Sequence, residues 1–450
     1  MPQPNTSRQP PERRVLYVIS RYTYRSTFIV REIEELAARG WTITVVSLRR
    51  PIFAPGRTDT ALPYAVVYDR WFAGPVLFAA ITALLSGRRN ILEYVRLMVA
   101  AFGREPRLLA RNLSVIPKAC FYAAMVRRDG CEHIHAHWAT VSTSAAMLMS
   151  QVSGTPFSFT GHAWDIFCDT RLLSEKADAA RFVLTCTAFN RQHLIDVARV
   201  DRDKVHVLYH GLRLPAPPDD RAARPSGPLE ILTVGRWSEK KGFLDLIEAL
   251  AVVRDQGVPF KLRIIAGDGS AAYERRVRET IAARALDDRV LISDWLPSEE
   301  VEAAMRASDL FVLPCLRPAN GAMDGIPNVL IEALSVQLPV VATRLSGIPE
   351  LIRHGETGLL VNERDPRGLA ETLIWCATHR ADMARFAEEG RRLVERTFDI
   401  SQTISMLEQH FEAVIAAGRA QRDTSAARAG APAGDLHLER AMPGAARRSQ

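Results

Sequence analysis

No two cysteines in this chain stand at C-x-x-C spacing; the six, at positions 120, 131, 168, 186, 315 and 376, are scattered. That excludes a zinc ribbon and a disulfide scaffold, and it fits a reducing, cytoplasmic setting. Long apolar runs are also missing. The most apolar charge-free stretch, Trp71–Ser86, has 16 residues with Gly74 and Pro75 inside it, short of the roughly 20 a membrane-spanning helix needs. Met1 to Arg14 has proline and arginine but no apolar run, so no signal peptide is expected. Nor is there a large excess of either charge: 58 Lys and Arg face 51 Asp and Glu, net +7 over 450 residues. This mild balance allows an anionic ligand or an anionic membrane surface. It does not single out nucleic acid, for which no reading motif is present. What is present is an ordinary globular composition, 47% hydrophobic and 24% charged, in a chain long enough for two or three domains.

Residues 1–13 are expected to be disordered. Val15-Leu16-Tyr17-Val18-Ile19-Ser20 reads as a buried strand, Phe28–Arg39 as a helix closed by Gly40, and Trp41–Leu48 as the next strand. This is the strand–helix–strand unit that builds parallel sheets. Strands are expected again at His133–His135, Phe157–Thr160, Arg181–Thr187 and Val205–Tyr209, within a first domain spanning 14–214. Residues 215–228 hold five prolines and four charged residues and read as an interdomain linker. The same alternation restarts at Leu229 and fills a second domain, 229–400. From about Arg419 the chain is rich in Ala, Arg, Gly and Pro, and 419–450 is expected to be a disordered tail.

Three segments carry chemistry. Gly235-Arg236-Trp237-Ser238-Glu239-Lys240-Lys241-Gly242 lies between a strand and a helix. Arg236 and Lys241 are spaced to fold over one pocket, and the helix start adds free N–H groups, which together suit a diphosphate. The plain alternative is a solvated basic turn. Ala266-Gly267-Asp268-Gly269 is a second glycine loop, equally well explained as a turn. Asp324-Gly325-Ile326-Pro327-Asn328-Val329-Leu330-Ile331-Glu332 sets two acids eight positions apart, one in a loop and one within a helix that Pro327 would open. Gly325 would permit a tight bend that leaves backbone N–H groups open to a ligand. The two acids are placed to grip the hydroxyls of a sugar and a ribose. Glu332 could instead face solvent, but its neighbours are apolar.

As a set, these segments resemble the retaining glycosyltransferases of family 4. So do Pro339-Val340-Val341-Ala342, Gly347-Ile348-Pro349-Glu350-Leu351-Ile352 and Gly355-Glu356-Thr357-Gly358-Leu359-Leu360-Val361. The resemblance implies the GT-B architecture: two Rossmann-like α/β domains facing each other across a cleft, with a last helix (401–418) returning to the first, acceptor-side domain. It also implies that Arg236 and Lys241 hold the donor diphosphate, Glu332 the ribose, and Asp324 the donor sugar. Backbone of Gly235, Gly325, Ile326, Pro327 and Asn328 would line the donor loop, and Gly267 and Gly269 the nucleotide side. The family more often has Glu followed by Gly-Phe-Gly where this chain has Asp324 followed by Gly-Ile-Pro. Ser270 replaces a usual proline and Asp294 a usual glycine, so base identity is not inferred. In the first half, Phe159-Thr160-Gly161-His162-Ala163-Trp164-Asp165 is similar to the motif whose histidine faces the donor sugar. His162, with Asp165 nearby, is therefore a candidate catalytic residue. His135-Ala136-His137-Trp138 and Tyr209-His210-Gly211 also recur in exopolysaccharide and colanic-acid-type members, but His135 and His137 read better as structural. No metal and no cofactor are expected beyond a UDP- or GDP-sugar donor.

Arg88–Arg128 holds nine basic residues against two acids, with Ile91, Tyr94, Val95, Met98, Val99 and Phe102 at helical spacing. Beside Trp71–Ser86 this suits an anionic membrane surface or a lipid diphosphate. The alternative is a core-facing helix with a solvated basic face. The expected function is transfer of a hexose to a glycan or polyprenyl-diphosphate-linked acceptor, on the inner face of the cytoplasmic membrane. A non-catalytic sugar-nucleotide binder and a GT-B-type epimerase are the competing classes.

Overall fold

The computed structural model describes residues 13–54, 62–71, 73–86, 88–217 and 227–429. The N-terminal segment, the middle of the 215–228 linker and the tail from 430 lie outside the described residues.

The first domain is a seven-stranded parallel sheet. Its strands are β1 (Arg13–Ile19), β2 (Trp41–Ser47), β3 (Ala65–Val67), β4 (His133–His137), β5 (Phe157–Gly161), β6 (Val183–Thr185) and β7 (Val205–Val207). Their order is β3-β2-β1-β4-β5-β6-β7. The apolar run of β1 is buried from Val15 to Ile19, as expected of a strand covered on both faces. The second domain has six strands: β8 (Leu229–Trp237), β9 (Phe260–Gly269), β10 (Val290–Ser293), β11 (Leu310–Leu313), β12 (Val340–Thr343) and β13 (Leu359–Val361). Their order is β10-β9-β8-β11-β12-β13. Each sheet reverses direction beside its first strand, at β1/β4 and at β8/β11. Ligands of open parallel sheets bind outside the carboxyl ends of the strands at such a reversal.

Helix α1 (Thr27–Ala38) joins β1 to β2, and β3, not foreseen in the sequence, adds an edge. The crossover to β4 carries four helices: α2 (Gly74–Ser86), α3 (Arg88–Phe102), α4 (Pro106–Leu113) and α5 (Ile116–Arg128). On α3, Ile91, Tyr94, Met98 and Phe102 are buried. That stripe is core, so the core-facing alternative holds for α3. The exposed apolar face lies on α2 instead.

The final helix, Ile400–Ala429, returns to the first domain. Its Ile404, Leu407, Phe411 and Ile415 are buried in one cluster with Val15, Tyr17, Ile33 and Val45. Full burial of such a side chain contributes roughly 1.5–3 kcal/mol relative to exposure, so this stripe ties the two domains firmly. At the crossing, Leu212 N–H donates to the Phe398 carbonyl and Ile400 N–H to the Leu212 carbonyl. The helix continues past 418, where the sequence composition predicts loss of order. Arg419 pairs with Glu132 at 2.6 Å, and this ion pair with the first domain anchors the extra turns.

Candidate functional site at the cleft

The phosphate-loop candidate sits at the β8/β11 reversal. β8 ends on Gly235-Arg236-Trp237, a 3-10 turn spans Glu239–Lys241, and the helix Phe243–Asp255 follows. Gly242 between them has φ +68°, and a Cβ there would stand 1.8 Å from the Pro314 carbonyl oxygen after β11. Only glycine lets the loop press against that strand end. Arg236 is exposed and makes no ion pair among the described residues. Lys241 is buried, and its Nζ donates to Asp324 Oδ2 at 2.9 Å. Lys240 Nζ donates to Asp324 Oδ1 at 2.6 Å. Burial alone would raise the Asp324 pKa, but the two ammonium groups outweigh it and hold the carboxyl well below its ordinary range. Burial would likewise lower the Lys241 pKa, and Asp324 reverses that into a rise.

Lys241, assigned to the diphosphate, and Asp324, assigned to the sugar, are thus in direct contact, and Lys240 joins them. Sequence reasoning passed over Lys240; the signal was three cations within six positions of one loop.

Gly325 and Ile326 form the expected bend, but without positive φ at Gly325, so the bend does not by itself demand glycine. Its lack of a side chain serves close approach: a Cβ would lie 3.2 Å from both Cys186 Sγ and Thr187 Cγ2 of the first domain. Ile326 is buried, and Pro327 caps the helix Asn328–Ser335. Half-buried Glu332 accepts from Arg31 Nη2 of α1 at 3.1 Å. Gly267 and Gly269 close β9, and Asp268 between them pairs across the cleft with Arg25. Trp295, 54% exposed, stands against Gly267, where a Cβ would meet the Trp295 Cβ at 2.8 Å. Neither Arg31 nor Trp295 was marked by a motif.

On the facing domain, His133, His135 and His137 alternate along β4 and are all buried. His135 is satisfied by Ser158 Oγ at 2.7 Å and Thr160 Oγ1 at 3.0 Å, in line with a structural role. His137 does more. Its Nδ1 lies 3.1 Å from His162 Nε2 and its Nε2 3.1 Å from Glu32 Oε1. His162 Nδ1 lies 3.3 Å from His210 Nε2, and His210 Nδ1 lies 3.1 Å from Asn328 Oδ1. Both ring nitrogens of His162 are therefore engaged by other histidines, and neither is left for a donor sugar in this state. Desolvation holds the His162 pKa well below its ordinary value. Asp165 does not reach the ring. It accepts backbone N–H groups of Ala139 at 2.7 Å, His162 at 3.0 Å and Ala163 at 2.9 Å, tying together the turns after β4 and β5.

Among the described residues, two groups bring metal-ligating atoms within 4.8 Å of one another: His162, Cys186 and His210, and Glu32, His135 and His137. Neither group fits an ion well. Burial pushes the Cys186 thiol up to about 12, away from the thiolate a metal binds, and it donates to the His162 carbonyl at 3.2 Å. In the other group, the His135 nitrogens are already bonded to Ser158 and Thr160.

The comparisons with known proteins give the family and the fold. Residues 26–214 match the family model described as Glycosyltransferase Family 4, and residues 228–379 the model described as Glycosyl transferases group 1. The chain is 39% identical over 199 residues to the Escherichia coli (strain K12) protein named "Putative colanic acid biosynthesis glycosyltransferase WcaL", covering 44% of this chain and 48% of that one. It is 40% identical over 172 residues to the amylovoran biosynthesis glycosyltransferase AmsK of Erwinia amylovora, covering 38% and 42%. The chain thus aligns with less than half the length of these curated relatives. Among solved structures, a glycosyltransferase from Rickettsia africae ESF-5 superposes with a TM-score of 0.69 at 16% identity, over 90% of this chain and 99% of that one. Anabaena Alr3699/HepE, solved with UDP and glucose, gives 0.64 at 17%, over 89% and 100%. At such identities the likeness speaks for the two-domain GT-B fold. Through its two domains the chain belongs to the glycosyltransferases, with a family 4 domain over residues 26–214 and a group 1 domain over residues 228–379.

Proposed function

We propose that the protein is a retaining, metal-independent hexosyltransferase. It moves a sugar from a UDP- or GDP-linked donor to a glycan or polyprenyl-diphosphate-linked acceptor in exopolysaccharide or cell-surface polysaccharide biosynthesis. One observation carries this reading: Arg236 stands at the end of β8 and Lys240 and Lys241 in the turn after it, and the two lysines meet Asp324 there, eight positions before Glu332. Breaking the anomeric carbon–phosphate bond develops negative charge on the leaving diphosphate. Cations set in a partly dry loop stabilise that charge where it grows. Arg236 is available to the diphosphate outright. The lysines begin on Asp324, so donor binding shares or displaces that carboxylate. Glu332 likewise begins on Arg31, which the ribose hydroxyls would replace. The colanic acid and amylovoran roles in the names of the two relatives support the polysaccharide context. The test is incubation with UDP- and GDP-hexoses plus a lipid-linked acceptor, with product anomer read by NMR and the rate measured with and without EDTA. An α-linked donor is expected to give an α-linked product at a rate EDTA does not change. A β-linked product contradicts retention, and loss of rate with EDTA contradicts metal independence.

The acceptor side of the reading includes peripheral membrane binding. On α2, Leu77, Phe78, Ile81, Leu84 and Leu85 recur at i, i+1, i+4, i+7 and i+8, and all are exposed, Leu85 to 81%. Such a one-sided apolar face is uncommon on a water-facing helix. Exposed Arg88, Arg89 and Arg96 follow it on α3, and Arg104 and Arg107 come next. An apolar ridge beside arginines complements an anionic lipid surface, with about 1 kcal/mol for each Arg near it. Among the described residues no helix is long and apolar enough to cross a membrane. In co-sedimentation with anionic vesicles at low salt, the wild type is expected in the pellet. Joint Phe78→Ser and Leu85→Ser substitution should leave the protein in the supernatant. A wild type that stays in the supernatant contradicts membrane docking and favours a water-borne acceptor.

A further inference from the structure

The histidines behind the cleft form a chain whose protons can be counted. At one end, Glu32 Oε1 accepts from Tyr17 O–H at 2.8 Å and faces His137 Nε2 at 3.1 Å. The links then run His137 to His162, His162 to His210, and His210 to Asn328. That makes four hydrogen bonds across three imidazoles, and a neutral imidazole carries one N–H. A carboxylate can only accept, so His137 must donate from Nε2. Its Nδ1 is then an acceptor, which requires His162 to donate from Nε2. By the same step His210 donates from Nε2, leaving its Nδ1 an acceptor. The last link then closes only if the Asn328 carboxamide presents its –NH2. With Oδ1 towards His210 instead, the chain lacks one proton and an imidazole must be charged. Desolvation opposes a charge on the last two rings, keeping His162 well below its ordinary value and His210 down to about 4. Carboxamide oxygen and nitrogen exchange by a half-turn of the side chain, so a chain with no charged ring places Nδ2 towards His210.

We propose that Glu32 is a positioning residue which, through the fixed tautomers of His137, His162 and His210, dictates the orientation of the Asn328 carboxamide at the start of the Asn328–Ser335 helix. Asn328 is half-buried and its other polar atom has no partner within the protein among the described residues. The chain thereby turns the carboxamide oxygen away from His210, as an acceptor for a hydroxyl of the bound sugar. This last step rests on the donor-site reading above; the chain itself does not. Its members come from α1, β4, the turn after β5, the segment after β7 and the first residue of the donor-side helix, so it links the interior of one domain to the ligand loop of the other. Phe28 stacks on His210 at 4.2 Å between ring centroids and helps fix that ring.

The experiment uses the full chain and needs no substrate. With 15N-labelled histidine, the wild type is expected to show the Nε2–H tautomer at His137, His162 and His210. An Nδ1–H tautomer at His162 overturns the proposal. A second readout is thermal stability in a two-residue cycle. Asn328→Asp puts acceptors at both ends, strands one link, and should lower the melting temperature by several degrees. Glu32→Gln supplies a donor at the far end. Combined with Asn328→Asp it allows the whole chain to run in reverse, with all three rings as Nδ1–H, and should restore most of the loss. Residues that do not touch normally give additive effects. Purely additive losses in the double variant therefore overturn the relay. If the tautomers and the rescue are found but nucleotide sugars do not bind, the relay stands and the donor-site reading falls.

Discussion

Arg236→Ala is expected to fold normally and to lower sugar transfer at least about tenfold. The side chain is exposed and outside any ion pair among the described residues, so its removal costs little stability. A charge-assisted hydrogen bond contributes roughly 1.5–3 kcal/mol, and 1.36 kcal/mol is a factor of ten in rate. Lys241→Ala is expected to lose as much activity for the same reason, but it is the less clean variant because Lys241 is buried on Asp324. Steady-state transfer rates and melting curves of the two variants check this together. Wild-type rate in a folded Arg236→Ala protein would remove the diphosphate assignment.

The second large effect is at Asp324. Asp324→Asn is expected to abolish most transfer while leaving affinity for a nucleoside diphosphate undiminished, because the lysines lose a competing carboxylate. Glu332→Ala is expected to weaken nucleotide binding itself. Asp324→Asn should also destabilise the protein: removing one partner of a fully buried ion pair costs about 3–5 kcal/mol, and this partly exposed cluster is expected to lose less. The pH dependence has a definite sign. A carboxyl depressed in the folded state contributes stability that is present above its ordinary pKa of about 3.9 and is lost as pH falls towards the depressed value. The wild-type advantage over Asp324→Asn should therefore be full at neutral pH and shrink below about pH 4. Nucleotide titrations and acid-denaturation curves of both variants test this. If Asp324→Asn binds nucleotide poorly and Glu332→Ala binds normally, the two roles are exchanged.

Where the sequence was legible, the physics was local. Apolar runs marked two strands to within a residue: Trp41–Leu48 was expected where β2 spans Trp41–Ser47, and Phe157–Thr160 where β5 spans Phe157–Gly161. The loop after β8 declared itself through charge and glycine together. The sequence was silent wherever partners come from far along the chain. Glu32 looks like an ordinary helix residue, and nothing local tells that His137 and Tyr17 both turn towards its Oε1. Gly325 reads as a bend and is one, yet the reason it must be small lies in Cys186 and Thr187, some 140 positions earlier. The α3 stripe and the α2 face have the same apolar spacing. Which one is core depends on α4 and the helix Val141–Ser153, against which α3 packs, a tertiary choice that periodicity cannot express.

The account stands most directly on whether this chain binds a sugar nucleotide through the loop after β8. Thermal stabilisation by UDP, GDP and their hexose conjugates measures it, since a ligand that binds only the folded state raises the melting temperature with concentration. At least one nucleotide series is expected to stabilise the wild type in a concentration-dependent way, with the shift sharply reduced in Arg236→Ala and in Glu332→Ala. No stabilisation by any UDP or GDP species, or an equal shift in wild type and Arg236→Ala, would contradict it.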